Sequence, residues 1–239
     1  MRYHVLATDY DGTIARDGIV NETTLRALER LRASGRHLLL VTGRRMEELV
    51  ETFPHSGIFE IVVAENGATL YFPSDGRETL LAERPPEDFI KALSERGVPL
   101  AVGRVIVATW APYQQIVLDT IRELGLELQI IFNKGAVMVL PAGVSKASGL
   151  TAALRCLGIS PHNTVGVGDA ENDHAFLSLC EASVAVANAI PSLKACADLV
   201  TAGDHGVGVA ELIERILADD LKGLIRAGRC GKHSRPMGC

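Results

Sequence analysis

The sequence predicts an α/β protein: a parallel sheet covered by helices on both faces, interrupted by an inserted α+β domain. Three observations predict it. Short apolar runs alternate with amphipathic stretches up to about residue 64 and again from about 145 to 218, the rhythm of βαβ units. Between these halves the strand-like runs are joined by tight turns, as in an antiparallel sheet. The chain has 239 residues and is 47% apolar, enough to bury a core in one large domain or in a domain carrying an insert.

The elements follow in order. Tyr3 to Thr8 is a buried strand, ended by the turn-permitting Gly12. A helix spans Glu22 to Ser34, with Asn21 or Thr23 as its cap, Gly35 as its stop, and Leu25, Leu28 and Leu31 at helical spacing. A strand at His37 to Val41, a helix at Arg45 to Thr52 and a strand at Ile58 to Ala64 complete the first half. Ala68 to Phe72 and Glu78 to Ala82 read as a hairpin around Ser74-Asp75-Gly76. Pro85-Pro86 opens a helix to about Arg96. Leu100 to Thr109, Glu127 to Phe132 and Ala136 to Leu140 read as strands, the last two meeting at Asn133-Lys134-Gly135, with a helix at Pro112 to Leu124. The α/β rhythm then resumes. Helices are expected at Ser145 to Leu157, Asp173 to Leu179, Ser192 to Ala197 and Val207 to Ala218, and strands at Thr164 to Val167, Ser183 to Ala187 and Leu199 to Thr201. The division expected is a core of residues 1–82 and 141–220, an insert of 83–140, and a flexible basic tail of 221–239.

Composition excludes several classes. With 24 Lys and Arg against 29 Asp and Glu, the net charge of -5 gives no reason to expect a nucleic-acid partner. No apolar run reaches 18 residues, so no membrane span is expected. The N-terminus enters a strand within a few residues, without a secretory signal. The five cysteines are odd in number and form no Cys-x-x-Cys pair, so neither a disulfide framework nor a zinc site is suggested. Cys156, Cys180 and Cys196 are expected to be buried structural thiols, and the expected compartment is the cytoplasm. The basic tail reads as a disordered end.

Four separated signals carry chemistry. In Asp9-Tyr10-Asp11-Gly12-Thr13, the side chains of Asp9 and Asp11 point the same way because strand residues alternate with period two. They stand at the strand edge where open α/β sheets bind ligands, and two close carboxylates want a cation or a shared proton. Val41-Thr42-Gly43-Arg44 offers a hydroxyl and free amides at a strand end, a geometry suited to phosphate. Lys146 starts a helix, where its charge opposes the dipole and hints at a nearby anion. Gly166-Val167-Gly168-Asp169-Ala170-Glu171-Asn172-Asp173 again follows a strand and offers carboxylates to a hard cation. Each is weak alone. Together they fall in order, each at a strand end or opening the next helix.

On these motifs the chain resembles the haloacid dehalogenase (HAD) superfamily of phosphatases over nearly all of residues 3 to 218. Asp9-Tyr10-Asp11-Gly12-Thr13 matches its first motif, Thr42 its second, Lys146 its third, and Gly168-Asp169 with Asn172-Asp173 its fourth. With Ala64-Glu65-Asn66-Gly67-Ala68 just before the insert, the chain looks like the type IIB cap subfamily, which includes sugar-phosphate and phosphoglycolate phosphatases. The resemblance implies a Rossmann-like core with an α+β cap. It implies that Asp9 is the nucleophile, forming an aspartyl-phosphate, and that Asp11 is the general acid and base, its side chain free for the proton. Thr42, Gly43, Lys146 and Asn172 would bind the phosphoryl group, and Asn66 would touch substrate. Mg2+ would be held by Asp9, the Asp11 carbonyl and Asp169, with Asp173 in support, orienting Lys146 or a metal-bound water.

The activity so implied is Mg-dependent hydrolysis of a small phosphorylated metabolite, a sugar phosphate or a phosphoglycolate-like acid. An aspartate at position 11 favours a phosphatase or a phosphomutase over a dehalogenase or an ATPase of the superfamily. A phosphomutase, a non-catalytic phosphate-binding module and a receiver-like signalling domain are the rivals. The last has no reason for a cap. In the insert, Arg104, Trp110, Tyr113 and Lys134 are possible substrate contacts. Core packing is at least as good a reading of Trp110, and solvated surface charge the better one for Arg104 and Lys134. The oligomeric state is left open.

Overall fold

The computed structural model describes residues 1–224. The elements run β1 (Val5–Thr8), α1 (Glu22–Ala33), β2 (His37–Val41), α2 (Met46–Thr52), β3 (Ile61–Ala64), β4 (Thr69–Phe72), β5 (Arg77–Leu80), α3 (Glu87–Glu95), β6 (Ala101–Val102), β7 (Val107–Trp110), α4 (Gln114–Glu123), β8 (Leu128–Asn133) and β9 (Ala136–Pro141). There follow α5 (Lys146–Leu157), β10 (Thr164–Gly168), α6 (His174–Leu179), β11 (Ala182–Ala185), α7 (Pro191–Cys196), β12 (Leu199–Val200) and α8 (His205–Asp219).

The expected fold class is what the chain adopts. Eight strands form one sheet in the order β12-β11-β10-β1-β2-β3-β4-β5. It is parallel from β12 to β3, and the β4–β5 hairpin extends it antiparallel beyond β3. β1, β2 and β3 read as continuous apolar runs because both faces of these central strands are covered. α1 packs on α8, and α5 on α6, as helix layers against the sheet. Strand order reverses at β1, which lies between β10 and β2. The crevice at such a switch point opens at the C-terminal strand ends.

The insert has its own sheet, β6-β7-β9-β8, all antiparallel. Its strands alternate. Val107, Val137 and Val139 face a core made with Phe89 and Leu93 of α3 and Val117 and Ile121 of α4. Ala108, Ala136 and Met138 lie on the opposite face, turned toward the main sheet.

Three differences from the expected elements have physical causes. Leu100 to Thr109 is not one strand but two short ones, because the amides of residues 104 to 106 turn away from the ladder to another partner, described below. The strand after α2 starts at Ile61, since Pro54–Ile58 winds as a 3₁₀ turn. Cys156 is exposed, unlike the buried Cys180, because the core-facing stripe of α5 runs through Gly149, Leu150, Ala153 and Leu154. Of the expected tail 221–239, residues 225–239 lie outside the described residues, and Leu221 is buried against the core. Among the described residues no helix is long and apolar enough to cross a membrane.

Candidate active site

β1 delivers Asp9 to the switch point as a buried carboxylate. Its Oδ1 accepts a hydrogen bond from Lys146 Nζ at 2.5 Å, and its Oδ2 accepts one from Thr13 Oγ1 at 3.1 Å. The chain turns sharply at Gly12 (φ +89), where a Cβ would come within 2.3 Å of Asp169 Oδ2, so the loop tolerates only glycine. Asp11 follows with a partly exposed side chain that faces the same cavity as Asp9. That side chain is not free, as the sequence suggested. Arg44 grips it with two hydrogen bonds, Nε to Oδ2 at 2.6 Å and Nη2 to Oδ1 at 2.7 Å, the fork geometry that suits a guanidinium and a carboxylate. The Arg44 guanidinium in turn stands 5.1 Å from the centre of the Tyr10 ring.

Lys146 opens α5, capped by Ser145. Its buried ammonium bridges Asp9 and Asp173, at 2.7 Å from Asp173 Oδ1. The other Asp173 oxygen accepts from the amides of Asp169 and Ala170 at 2.8 and 2.9 Å. Asp173 therefore orients Lys146 and the loop after β10 at once. Burial disfavours charge on Lys146, but Asp173 and Asp9 outweigh it and hold the ammonium above its usual range. Burial pushes the Asp9 carboxyl up to about 8; Lys146 opposes the rise, and Asp173 and Asp169 add to it. The site carries an excess of buried negative charge, the condition under which a carboxylate cluster takes up a proton or a cation.

Asp9, Asp169 and Asp173 present carboxylate oxygens within 4.8 Å of one another. These are hard oxygen donors of the kind that hold Mg2+. A cation from the chain itself already stands at this point. Lys134 Nζ donates to Asp169 Oδ2 at 2.9 Å and to the carbonyl oxygen of Asp11 at 3.2 Å. Burial works against its charge, yet the bond to Asp169 and the nearby aspartates keep its pKa above the usual lysine value. The donor set thus fits a divalent cation.

The other predicted residues are placed unequally. Gly43 lines the cavity with Asp9, Asp11, Arg44, Arg45 and Lys146. Thr42 is buried beneath it, its Oγ1 accepting from the Arg44 amide at 3.1 Å. Asn172 and Asn66 pair with each other, Nδ2 of Asn172 donating to Oδ1 of Asn66 at 3.1 Å. The remaining oxygen of Asn172 is buried with no hydrogen-bond partner. Across the cavity, the insert contributes Ala101, Ile106, Ala108, Ala136, Met138 and the half-exposed Trp110. The space between core and insert is about 250 Å³ and open on one side to solvent. Arg104 lies away from it, paired with Glu78 at 3.3 Å.

Glu65, in the stretch that marked the cap subfamily, joins the insert to the core. Glu65 is buried, and its carboxylate accepts backbone N–H bonds from Arg104, Val105 and Ile106, all at 2.8 Å. It pins the insert to the end of β3. Gly103 leaves room for this carboxylate, since a Cβ there would lie 2.4 Å from Glu65 Oε1.

Comparison with known proteins agrees with this geometry. The family model of haloacid dehalogenase-like hydrolases matches residues 6–105 and 105–213. The chain is 31% identical over 218 residues to a phosphoglycolate phosphatase of Methanothermobacter thermautotrophicus, covering 89% of this chain and 98% of that protein. It is 28% identical to phosphoglycolate phosphatase 2 of Saccharolobus solfataricus, over 90% and 92% of the two chains. Among solved structures it shares the fold of a HAD subclass IIB sugar phosphatase, with a TM-score of 0.73 at 20% identity over 89% of this chain and 98% of that one. With Asp9, Asp11, Lys146 and Asp169 gathered at one switch point and the family model spanning both halves, the chain belongs to the haloacid dehalogenase-like hydrolases, among their phosphatases.

Proposed function

We propose that this phosphatase hydrolyses a small phosphorylated acid of the phosphoglycolate kind, through an aspartyl-phosphate on Asp9, with Mg2+ at the carboxylate cluster. The single observation that carries the reading is the state of Asp9. It is a buried carboxylate at a strand end, fixed by Lys146 on one oxygen and Thr13 on the other, with the Asp11 carboxyl in the same cavity.

In this reading Asp11 swings off Arg44 and takes up a proton from solvent as substrate enters; Asp9 then attacks phosphorus, and the leaving oxygen takes that proton from Asp11. Asp11 then removes a proton from the water that attacks the aspartyl-phosphate. Lys146 holds Asp9 in line and stabilises charge on the phosphoryl oxygens, with Thr42, the Gly43 amide and Asn172. The unpartnered Asn172 oxygen and its amide belong to a side chain that can re-pair when substrate enters. Bound Mg2+, held by Asp9, Asp169 and the Asp11 carbonyl, would neutralise phosphoryl charge. Residues 83–140 act as the cap over the core, and their apolar wall excludes water.

Substrate class is supported by size and charge together. A cavity of about 250 Å³ suits a short molecule, and Arg44, once Asp11 swings off it, can take a carboxylate, while Arg45 on the same wall is paired with Glu48. A sugar phosphate is the second reading, favoured by Trp110, whose half-exposed ring lines the same wall. Purified protein with Mg2+, screened against phosphoglycolate, sugar phosphates and an aryl phosphate, tests the proposal. Phosphate release from phosphoglycolate with the highest kcat/KM, lost in chelator and in Asp9→Asn, is expected. No release from any of them would return the chain to the phosphate-binding module. Dependence on a bisphosphate activator would make it a mutase.

A further inference from the structure

We propose that Lys134 is the cap's own occupant of the cation position, and that a divalent cation binds there by displacing it, releasing the tip of the cap hairpin from the core. The inference rests on the cation site proposed above.

Lys134 and Gly135 form the two-residue turn between β8 and β9, both with positive φ (+47 and +88). This turn type favours Asn or Gly at both places, so a lysine in the first of them carries something other than turn chemistry. Its ammonium reaches from the cap to the core and bonds two oxygens, Asp169 Oδ2 and the Asp11 carbonyl. Those are two of the three protein oxygens assigned to the divalent cation. The ammonium is seated closely enough that a Cβ on Gly12 would stand 2.7 Å from Nζ. Two cations cannot share the same oxygens at these distances against their mutual repulsion.

Charge balance gives the same answer. Lys146, between Asp9 and Asp173, and Lys134, on Asp169, bring two positive charges to three carboxylates. Lys134 therefore supplies part of the charge that a divalent cation would supply, and the cluster keeps one negative charge in excess until one arrives. Displacement is easy, because the Lys134 side chain is half exposed and can swing into solvent without unpacking the cap. Glu65 still holds the opposite end of the insert through residues 104 to 106. Only the hairpin tip is freed, beside the groove it forms with Glu171 and Asn172.

Magnesium titration of the full chain, first stripped by chelator, tests this by calorimetry and by the emission of Trp110. Trp110 is the only tryptophan and pairs across β7–β9 with Ala136, the residue after the turn. Lys134→Met should bind Mg2+ about tenfold more tightly than the wild type at equal ionic strength, since a hydrogen bond from a charged donor to a nearly buried carboxylate no longer competes. Wild-type emission should shift as Mg2+ saturates. The variant should start near that end point and change little. Affinities within twofold of each other would overturn the proposal. So would a tighter variant with wild-type emission silent to Mg2+, because the hairpin tip, and Trp110 with it, would then not have moved. If Lys134→Met fails to fold, Lys134→Gln serves the same comparison. Asp169→Asn should lose Mg2+ binding; undiminished binding there, or none in the wild type, would remove the cation site itself and this inference with it.

Discussion

Replacing Glu65 by alanine isolates the joint between core and cap. The carboxylate accepts three backbone N–H bonds at 2.8 Å, of which those from Val105 and Ile106 are buried. The Arg104 amide is only partly buried and can turn to water. Two stranded donors at about 1–2 kcal/mol each give a loss of about 2–4 kcal/mol. For a chain of this size that lowers Tm by about 4–16 °C. The lost acceptor also loosens Ile106, which lines the cavity, so KM should rise more than kcat falls. Thermal unfolding with and without Mg2+, and steady-state kinetics on the best substrate of the panel, read both effects. A Tm within 1–2 °C of wild type, under about 1 kcal/mol by the same conversion, with unchanged KM would refute the reasoning. It would mean that water replaces the carboxylate and that the joint is held elsewhere.

Asp11→Asn should cut turnover by ~10²–10⁴-fold, the usual share of a general acid and base; near-normal kcat would remove Asp11 from proton transfer. Gly67→Ala places a Cβ 1.9 Å from the Ser145 carbonyl oxygen, next to Lys146, at φ +102. Overpacking and strain together should cost about 2–4 kcal/mol and lower kcat, whereas Gly97→Ala, at φ +73 in open space, should cost about 1–2 kcal/mol and leave kcat intact. Equal effects in the two variants would argue against a packed joint at Gly67. In chelator, stability should fall as pH rises from the ordinary carboxyl value of 3.8 toward about 8, because the folded protein keeps a proton on Asp9 that the unfolded chain has lost. Added Mg2+ should restore the loss at the upper end. A Tm that climbs across this window in chelator would contradict the assigned environment of Asp9.

What the sequence disclosed here is what the chain encodes locally. Asp9 and Asp11 announce themselves because the strand before them is continuously apolar and Gly12 ends it. Lys146 was legible as a cation set against a helix dipole, and its anions turn out to be Asp9 and Asp173. Contacts that depend on how the cap seats were not legible. Nothing near Arg44 says that it holds Asp11, 33 residues away, and nothing near Lys134 says that it reaches Asp169 instead of solvent. The break within Leu100 to Thr109 was hidden for the same reason, since the amides that leave the ladder find their acceptor on Glu65, in the other half of the fold. Exposure of Cys156 follows from the rotation of α5 against the sheet, which apolar content alone does not reveal.

The central claim is a phosphoryl group carried on Asp9. Acid quench during turnover, followed by borohydride, reduces an acyl phosphate to the alcohol and leaves homoserine in place of the aspartate. Peptide mass spectrometry should find that change at Asp9 alone, only when phosphorylated substrate is present, and not in Asp9→Asn. Phosphate released at the normal rate with Asp9 unmodified, or with the change at another carboxylate, would contradict the account.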